Sequence, residues 1–546
     1  MGRVDPATAP HPAPSADPPS ADRPSAEPRS ADRPSADPPR AGADQVAGLR
    51  ADLSDAGYTV EGVEEILGPV AAAALHRGHT GPAMRATASG EGCAPLIRLW
   101  ALGRPVDDDT LDAALPRTGA AGLRAMGLLG ADGSAGCDLR PYGDETHTWW
   151  VASDHGETVT HGPLPVDHVL GVGGASTTLS SWTPRPQVER ALDLGTGCGV
   201  QALHLSTHVG SVTATDISDR ALAYAAFNAA LNGMDLDLRA GSLFEPVVGE
   251  QFDLIVSNPP FVITPRAEGV PQYTYRDGGA RGDGIVAGLV RSVGDYLTPG
   301  GIAHFLGNWE SRAGEDWRDR VGGWLEGTGL DAWVIQRDQQ DPAEYAETWV
   351  RDGGHLPGSP EFEALHDAWL DDFAARGVAT IGLGVVTLHK PATPRDPWRD
   401  LVESPGPVAT PMGPSVLSGV WARNWLAERS PDELLDIAWE VADDVTEERV
   451  GRPGAPDPAV IQLRQGGGLR RTVRLDTLGA ALVGVCDGEL TARQALQAIA
   501  GLLDADPDAV LRQGVDLVTE LVTAGMLWQG AGTDSGRTAS QRHIQR

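Results

Sequence analysis

Apolar residues along this chain switch between helical spacing and short continuous runs, and the switches divide it into parts. Over 45–145, Leu49, Leu53, Val60, Val63, Ile66 and Leu67 recur at helix-like spacings, as do Leu96, Ile97, Leu99 and Leu102. This predicts a helical accessory domain, for which a winged-helix arrangement is one option. Asp107-Asp108-Asp109 ahead of Leu111 marks a helix start, where carboxylates meet the positive end of the helix dipole. Residues 147–153, HTWWVAS, read as a strand, with Trp149 and Trp150 as strand packing in preference to a ligand cage.

From residue 191 the alternation becomes regular. Apolar runs at 191–194, 212–216, 236–240, 252–257, 302–307, 330–336 and 380–389 predict seven strands. Helical stretches lie between them, at 199–207, 218–231 and 283–296 among others, with Ser218 as N-cap and Asn232-Gly233 as a stop. Such alternation predicts an α/β fold, a doubly wound and mostly parallel sheet within a central domain over 146–395. The segment 338–378, with Trp349, Trp369 and a helical pattern at 361–375, is long for a connection between strands. Packing is the preferred reading for it, ahead of a substrate lid. Past Pro391 the pattern loosens. A C-terminal domain over 396–546 then holds three apolar helix faces and a turn at Gly525-Met526-Leu527, a winged-helix-like module at 475–530. Residues 478–528 are similar to small peptide-binding modules of the PqqD type. The acidic third helix of this module argues against DNA binding.

Composition changes the picture at the N-terminus. Residues 15–39 repeat as SADPP-SADRP-SAEPR-SADRP-SADPP, with nothing aromatic to bury, so 1–44 is expected to be a disordered, semi-extended tail. A solubilising role is the simpler reading and a docking segment the other. The formal charge of −32 argues against a protein that grips long phosphate backbones through a basic stripe, while leaving room for a local basic pocket that accepts one flipped base. Lysine occurs once, at Lys390, and the four cysteines are scattered, so neither a zinc site nor any other metal site is indicated. With no long apolar run and no signal core, a soluble cytoplasmic protein off the membrane is expected.

Two motifs carry chemistry. Asp193-Leu194-Gly195-Thr196-Gly197-Cys198-Gly199 follows a strand and opens a helix, and its glycines let the backbone approach an adenosine-containing cofactor. Asp193 is placed to meet a cofactor amine. Asp216, with Ile217 after it, ends the second strand, where a carboxylate can accept both ribose hydroxyls; an N-cap is the alternative. Ser242 and Leu243 follow the third strand, at the adenine position, where Leu243 or Phe244 either stacks on the base or packs in the core. The second motif is Asn258-Pro259-Pro260-Phe261. A planar amide or exocyclic amine is a poor nucleophile and must be held with its lone pair along the reacting axis. The Asn258 side-chain carbonyl and the Pro259 backbone carbonyl can each accept one N–H, and both favour the more positive transition state. Pro260 fixes the turn, and Phe261 offers a face for a flat group.

These residues resemble the class I S-adenosylmethionine-dependent methyltransferases of the NPP(F/Y) group. Tyr275-Arg276-Asp277-Gly278-Gly279 resembles the acidic DGG segment of the HemK-like branch, the small-domain glutamine N5-methyltransferases, although Phe261 replaces that branch's tyrosine. The resemblance implies a seven-stranded Rossmann-like methyltransferase sheet and S-adenosyl-L-methionine held by Asp193, Gly195, Thr196, Gly197, Gly199, Asp216, Ile217, Ser242, Leu243 and Asn258. It implies an N-methyltransferase whose catalytic residues are Asn258, Pro259, Pro260 and Phe261. The leading expectation is a protein glutamine acceptor on a release factor or ribosomal protein. The alternatives are an RNA or DNA base (adenine N6 or guanine N2), with Arg266, Arg276 and Arg281 as phosphate contacts although a solvated surface role is the preferred reading for them, a small molecule, and a cofactor-binding scaffold.

Overall fold

The short apolar runs assemble into one mixed sheet, seen in a computed structural model that describes residues 36–160 and 163–530. The expected disordered tail lies outside the described residues over 1–35, as does 531–546. Ahead of the sheet, β1 (Asp138–Gly143) and β2 (Thr148–Ser153) form an antiparallel hairpin. The sheet contains β3 (Val188–Leu194), β4 (Val209–Asp216), β5 (Asp237–Ala240), β6 (Phe252–Ser257), β7 (Leu297–Arg312), β8 (Asp331–Gln340), β9 (Val378–His389) and β10 (Arg399–Glu403). Their order is β10-β8-β9-β7-β6-β3-β4-β5, with β9 antiparallel to β7 and β8 and every other pair parallel. Ala191, Leu192 and Leu194 of β3 and Leu254, Ile255 and Val256 of β6 are all buried. Strands covered on both faces read as continuous apolar runs for this reason.

The sheet has eight strands where the pattern predicts seven. The additional strand, β10, lies beyond residue 395 and pairs with Ala332–Gln336 of β8. Its sequence, Arg-Asp-Leu-Val-Glu, is that of a protected edge strand, short and charged, so a search for apolar runs passes over it. β7 is also longer than its apolar run. It stays paired with β9 as far as Arg312 and carries Asn308 and Glu310 past the sheet.

Helices from Ala43 to Met126 form the N-terminal unit, with Leu49, Leu53, Trp100, Leu111 and Leu123 in its core. That core is continuous with Leu203, Tyr224 and Phe227 of the central unit. Two asparagines one turn apart on the helix Asp219–Asn232 make the join. The Asn228 amide bonds both the N–H and the C=O of Ala152, at 2.8 and 2.9 Å, and Asn232 does the same at Trp150, at 2.9 and 2.8 Å. They take the place of a partner strand for β2. Trp149 and Trp150 are packing residues: Trp149 is buried beside Tyr142 and His204, and Trp150 donates to the Tyr58 carbonyl.

At the other end, the helix Gly413–Ala427 lays Val416, Leu417 and Val420 against Trp333 and Ile335 of β8. Beyond it are two three-stranded sheets. One is a meander over Val445–Val450, Val460–Gln465 and Thr472–Leu475. The other joins Asp487–Thr491 and Leu527–Gln529 on either side of Ala438–Val441 and packs with the helices Thr477–Val483, Ala492–Leu503 and Pro507–Thr523. The central strand of this second sheet thus comes from before residue 475. Among the described residues no helix is long and apolar enough to cross a membrane.

A buried charge ties the C-terminal helix to the sheet. Asp331, fully buried at the start of β8, accepts from Arg395 at 2.6 and 2.7 Å and from the Trp398 amide at 3.0 Å, and lies 2.9 Å from His389 Nδ1. Asn424 of the Gly413–Ala427 helix accepts from Arg395 and the Trp398 indole. Burial alone would raise the Asp331 carboxyl, but hydrogen bonds from His389 and Arg395 hold it below the ordinary carboxylate value. Asp331→Ala is expected to lower stability by about 3–5 kcal/mol, because it leaves a shielded guanidinium unpaired. The contribution is present above the ordinary carboxylate pKa and is lost as pH falls through the depressed folded value. Urea titrations of variant and native protein should therefore differ at neutral pH and converge in acid.

Candidate active site

The parallel strands β4, β3 and β6 end side by side, with Leu194 paired to Thr215 on one side and to Ser257 on the other. Chain order reverses here, since β3 leads outward to β4 and β5 before β6 returns on its other flank. Open α/β sheets have their crevice at such a reversal. The glycine loop and Asn258 both emerge into it. The Ser257 hydroxyl donates to the Leu194 carbonyl at 2.6 Å and fixes the two strand ends together.

Gly195, Gly197 and Gly199 have φ of 75°, 55° and 92°, a region in which side chains are strained. Added Cβ atoms at Gly195 and Gly197 would face open space, whereas one at Gly199 would lie 3.4 Å from Ala225. The first two therefore keep the loop's backbone bare toward the crevice, and the third serves helix packing. Asp193 Oδ2 accepts from the Thr196 hydroxyl at 2.6 Å and the Ala202 amide at 2.9 Å. Asp193 Oδ1 is buried with no partner. Burial pushes the carboxyl up to about 7, against the pull of those two hydrogen bonds.

Asp216 accepts from Gly197 N–H on Oδ2 and from Ser218 N–H on Oδ1, each at 2.9 Å. It shapes the loop but does not cap the helix; Ser218 does that, accepting from Ala221 N–H at 3.2 Å. After β5, Gly241 N–H donates to the Asp216 carbonyl at 3.0 Å, and Ser242 N–H to Glu245 at 3.2 Å. Ile217 is 65% exposed and Leu243 37%, so two apolar side chains stand open at the ends of neighbouring strands. Phe244 is buried instead, stacked on Tyr296 at 4.2 Å, which removes it as a candidate to stack on a base.

Asn258 Oδ1 is buried without a partner, as are Asp193 Oδ1 and, at the end of β4, Thr215 Oγ1. The Pro259 carbonyl accepts from Phe261 N–H at 2.7 Å, giving a tight turn. The DGG segment runs antiparallel to this turn, with Phe261 bridged to Asp277 and Val262 N–H bonded to the Arg276 carbonyl at 3.1 Å. A Cβ on Gly278 would lie 2.9 Å from the Pro260 oxygen and 2.3 Å from Ile285, so only glycine lets the two segments close.

The insertion forms the outer wall. It holds two helices, Pro342–Asp352 and Pro360–Arg376, where the pattern marks one. Tyr345, Trp369 and Phe373 pack with Val262 and Ile263, just past the proline turn. The Tyr345 hydroxyl accepts from Ile263 N–H at 3.1 Å and from the Asn308 amide at 2.7 Å. Trp349 meets the Phe261 ring edge-on at 6.2 Å. Packing is thus how the insertion bounds the site.

One expected contact is overturned. Arg276 is buried, 4.4 Å over the Tyr273 ring, and donates to Asp352 and the Trp349 carbonyl, each at 2.7 Å. It anchors the insertion and is not available to a phosphate. Arg266 and Arg281 are exposed, and Arg266 is held by Gln272 at 2.5 Å. Sequence reading also missed Tyr345 and Asn308, for which the only signal is a tyrosine and an asparagine in otherwise ordinary surroundings.

Residues 171–270 match a family model described as a methyltransferase small domain, while 55–140 and 421–529 match two domains of unknown function, DUF7059 and DUF7782. The chain is 33% identical over 192 residues to the ribosomal protein uL3 glutamine methyltransferase of Bradyrhizobium diazoefficiens, covering 32% of this chain and 59% of that one. It is 39% identical over 150 residues to the protein of the same name in Bordetella pertussis, covering 25% and 48%. The release factor glutamine methyltransferase of Deinococcus radiodurans is 35% identical over 167 residues, covering 25% and 60%. The chain thus spans about half to three-fifths of these relatives' length. The matches bear out the resemblance to HemK-like methyltransferases read from the two motifs.

The raised Asp193 carboxyl has a measurable consequence. The native protein keeps this proton to about pH 7, while the unfolded chain loses it near the ordinary carboxylate value of 3.8. Native protein therefore binds more protons between these values, and stability declines as pH rises across them. Asp193→Asn should gain on the native protein between pH 4 and 8, by on the order of 4 kcal/mol in urea titrations. A constant difference would contradict the buried, unpaired carboxyl.

Proposed function

We propose that this chain is an S-adenosylmethionine-dependent N-methyltransferase whose acceptor is the side-chain amide of a protein glutamine. The observation that carries the reading is Asn258 Oδ1, a buried amide oxygen with no partner beside the glycine loop. A buried acceptor left unpaired is costly, so its persistence here points to a donor that arrives with a substrate.

The cofactor fits the residues present. Asp193 Oδ1 is a second orphaned acceptor at the strand end, suited to the cofactor's amine. The bare faces of Gly195 and Gly197 admit the methionine portion, and Thr196 keeps Asp193 oriented. Asp216 uses one backbone N–H per oxygen and retains lone pairs for ribose hydroxyls. Ile217 and Leu243 supply apolar faces for the adenine, with the Ser242 hydroxyl at its edge. Bound there, S-adenosylmethionine would supply an electrophilic methyl group on its sulfonium.

The chain's own residues do the rest by holding and polarising the acceptor. One amide N–H is taken by Asn258 Oδ1 and the other by the second lone pair of the Pro259 carbonyl, whose first is used by Phe261 N–H. This turns the nitrogen's lone pair toward the methyl group. Methyl transfer would break the sulfonium carbon–sulfur bond as the N–C bond forms, and both acceptors would favour the more positive nitrogen. One of the two amide protons they hold would then pass to solvent. Pro260 and Gly278 keep the turn closed, and Trp349 fixes the Phe261 ring against which the flat amide lies.

The burial of Arg276 favours a protein acceptor over a nucleic-acid base, since it removes one of three expected phosphate contacts. The names of the relatives point the same way, to a ribosomal protein or release factor as partner. Asn258→Ala should lower turnover by at least about 100-fold, the loss expected for a preorganised polar group at the reacting atom, with cofactor affinity unchanged by calorimetry. Full turnover in this variant would rule out the acceptor pair.

A further inference from the structure

Far along the chain from these motifs, a cleft of about 720 Å³ opens between the Gly413–Ala427 helix and the C-terminal module. None of Asp193–Gly199, Asp216 or Asn258–Phe261 lines it. Two of its tryptophans, Trp421 and Trp425, stand one turn apart on the helix. The face of Trp425 is already taken: the Arg429 guanidinium lies 3.8 Å over its ring and donates to the Trp425 carbonyl at 3.0 Å. Trp421 is 39% exposed and has no ring or cation contact among the described residues. It offers the same kind of surface, one turn away, without its cation.

The charges of the cleft narrow the occupant further. Its arginines are engaged, Arg429 by Trp425 and Arg471 by the neighbouring Asp400 carboxylate. Asp444 at the rim accepts from Gly467 N–H at 2.7 Å with one oxygen. Asp443 beside it is exposed, and its carboxylate has no hydrogen-bond or ion-pair partner among the described residues. An open indole and a spare carboxylate in one cleft suit a guanidinium, which can stack on the first and donate to the second.

The source of that guanidinium follows from where the described chain ends. Trp528 and Gln529 both line the cleft, and Gly530 is the last described residue. The segment after it, AGTDSGRTASQRHIQR, carries Arg537, Arg542 and Arg546 against the single acid Asp534, in a chain of formal charge −32. Arg537 is seven residues past Gly530, a reach of at most about 25 Å that starts beside the cleft wall. We propose that this cleft holds residues 531–546 of the same chain, with the Arg537 guanidinium on the open face of Trp421 and paired to Asp443. A tether this short gives a local concentration of order millimolar, so a basic peptide from outside must displace the segment to enter.

The test uses the full purified chain carrying Ser418→p-benzoylphenylalanine, since Ser418 is exposed on the same helix and leaves the tryptophans intact. After irradiation, digestion and mass spectrometry, cross-links should fall within residues 531–546. Arg537→Glu should lower their yield by about tenfold, because it removes the cation and repels Asp443, while Arg537→Lys should keep most of it. Mixing isotopically heavy and light protein should give cross-links within one label only. Cross-links confined to 36–530, a yield indifferent to Arg537→Glu, or mixed-label pairs showing that a second copy supplies the segment would each overturn the proposal.

Discussion

The parallel register of β3 and β6 is the constraint on which the candidate site rests. Leu194 and Ser257 are paired, and the Ser257 hydroxyl donates to the Leu194 carbonyl. The glycine loop and Asn258 consequently leave adjacent strands at one level. Three unpartnered buried oxygens, Asp193 Oδ1, Thr215 Oγ1 and Asn258 Oδ1, belong to this edge. The interior of the sheet holds the strand ends in place, so the polar groups at the crevice need not satisfy one another. That is the condition under which acceptors can wait, preorganised, for an incoming positive charge.

The outer wall depends on charges and rings buried some distance away. Arg276 with Asp352, and Tyr345 with Asn308, fix the insertion to the segment after the proline turn. Behind them Arg376 pairs with Glu310 on the extended end of β7, and Arg320 holds Asp283 at 2.5 and 2.8 Å. Burial pushes the Glu310 carboxyl up despite its pairing with Arg376. Arg376–Glu310 and Tyr345–Asn308 join the 338–378 region to β7, Arg276–Asp352 joins it to the DGG segment, and Arg320–Asp283 joins two neighbouring helices. Buried pairs of this kind tolerate loss of one partner poorly. The site is therefore walled by parts of the chain that meet only after folding.

Legibility in the sequence follows this division. The glycine loop, Asp216 and the Asn258–Phe261 turn are contiguous motifs at the ends of apolar runs, so they could be read directly. The inner strands were equally plain because both faces are buried. β10 escaped because edge strands are kept charged. Arg276 was misread because an arginine in a glycine-rich loop looks solvated, and its partner Asp352 lies 76 residues away. Tyr345 and Asn308 gave no local sign for the same reason. Nor did Asn228 and Asn232, whose role is to satisfy the edge of a hairpin from another unit.

The central claim is methyl transfer to a protein glutamine. It is tested most directly by incubating the full chain with methyl-tritiated S-adenosylmethionine and lysate from cells lacking the gene. Labelled macromolecules are then treated separately with protease and nuclease. The account predicts label released by protease alone, and recovery of N5-methylglutamine from the labelled protein after complete enzymatic digestion. Label released by nuclease, or label confined to small molecules, would contradict it.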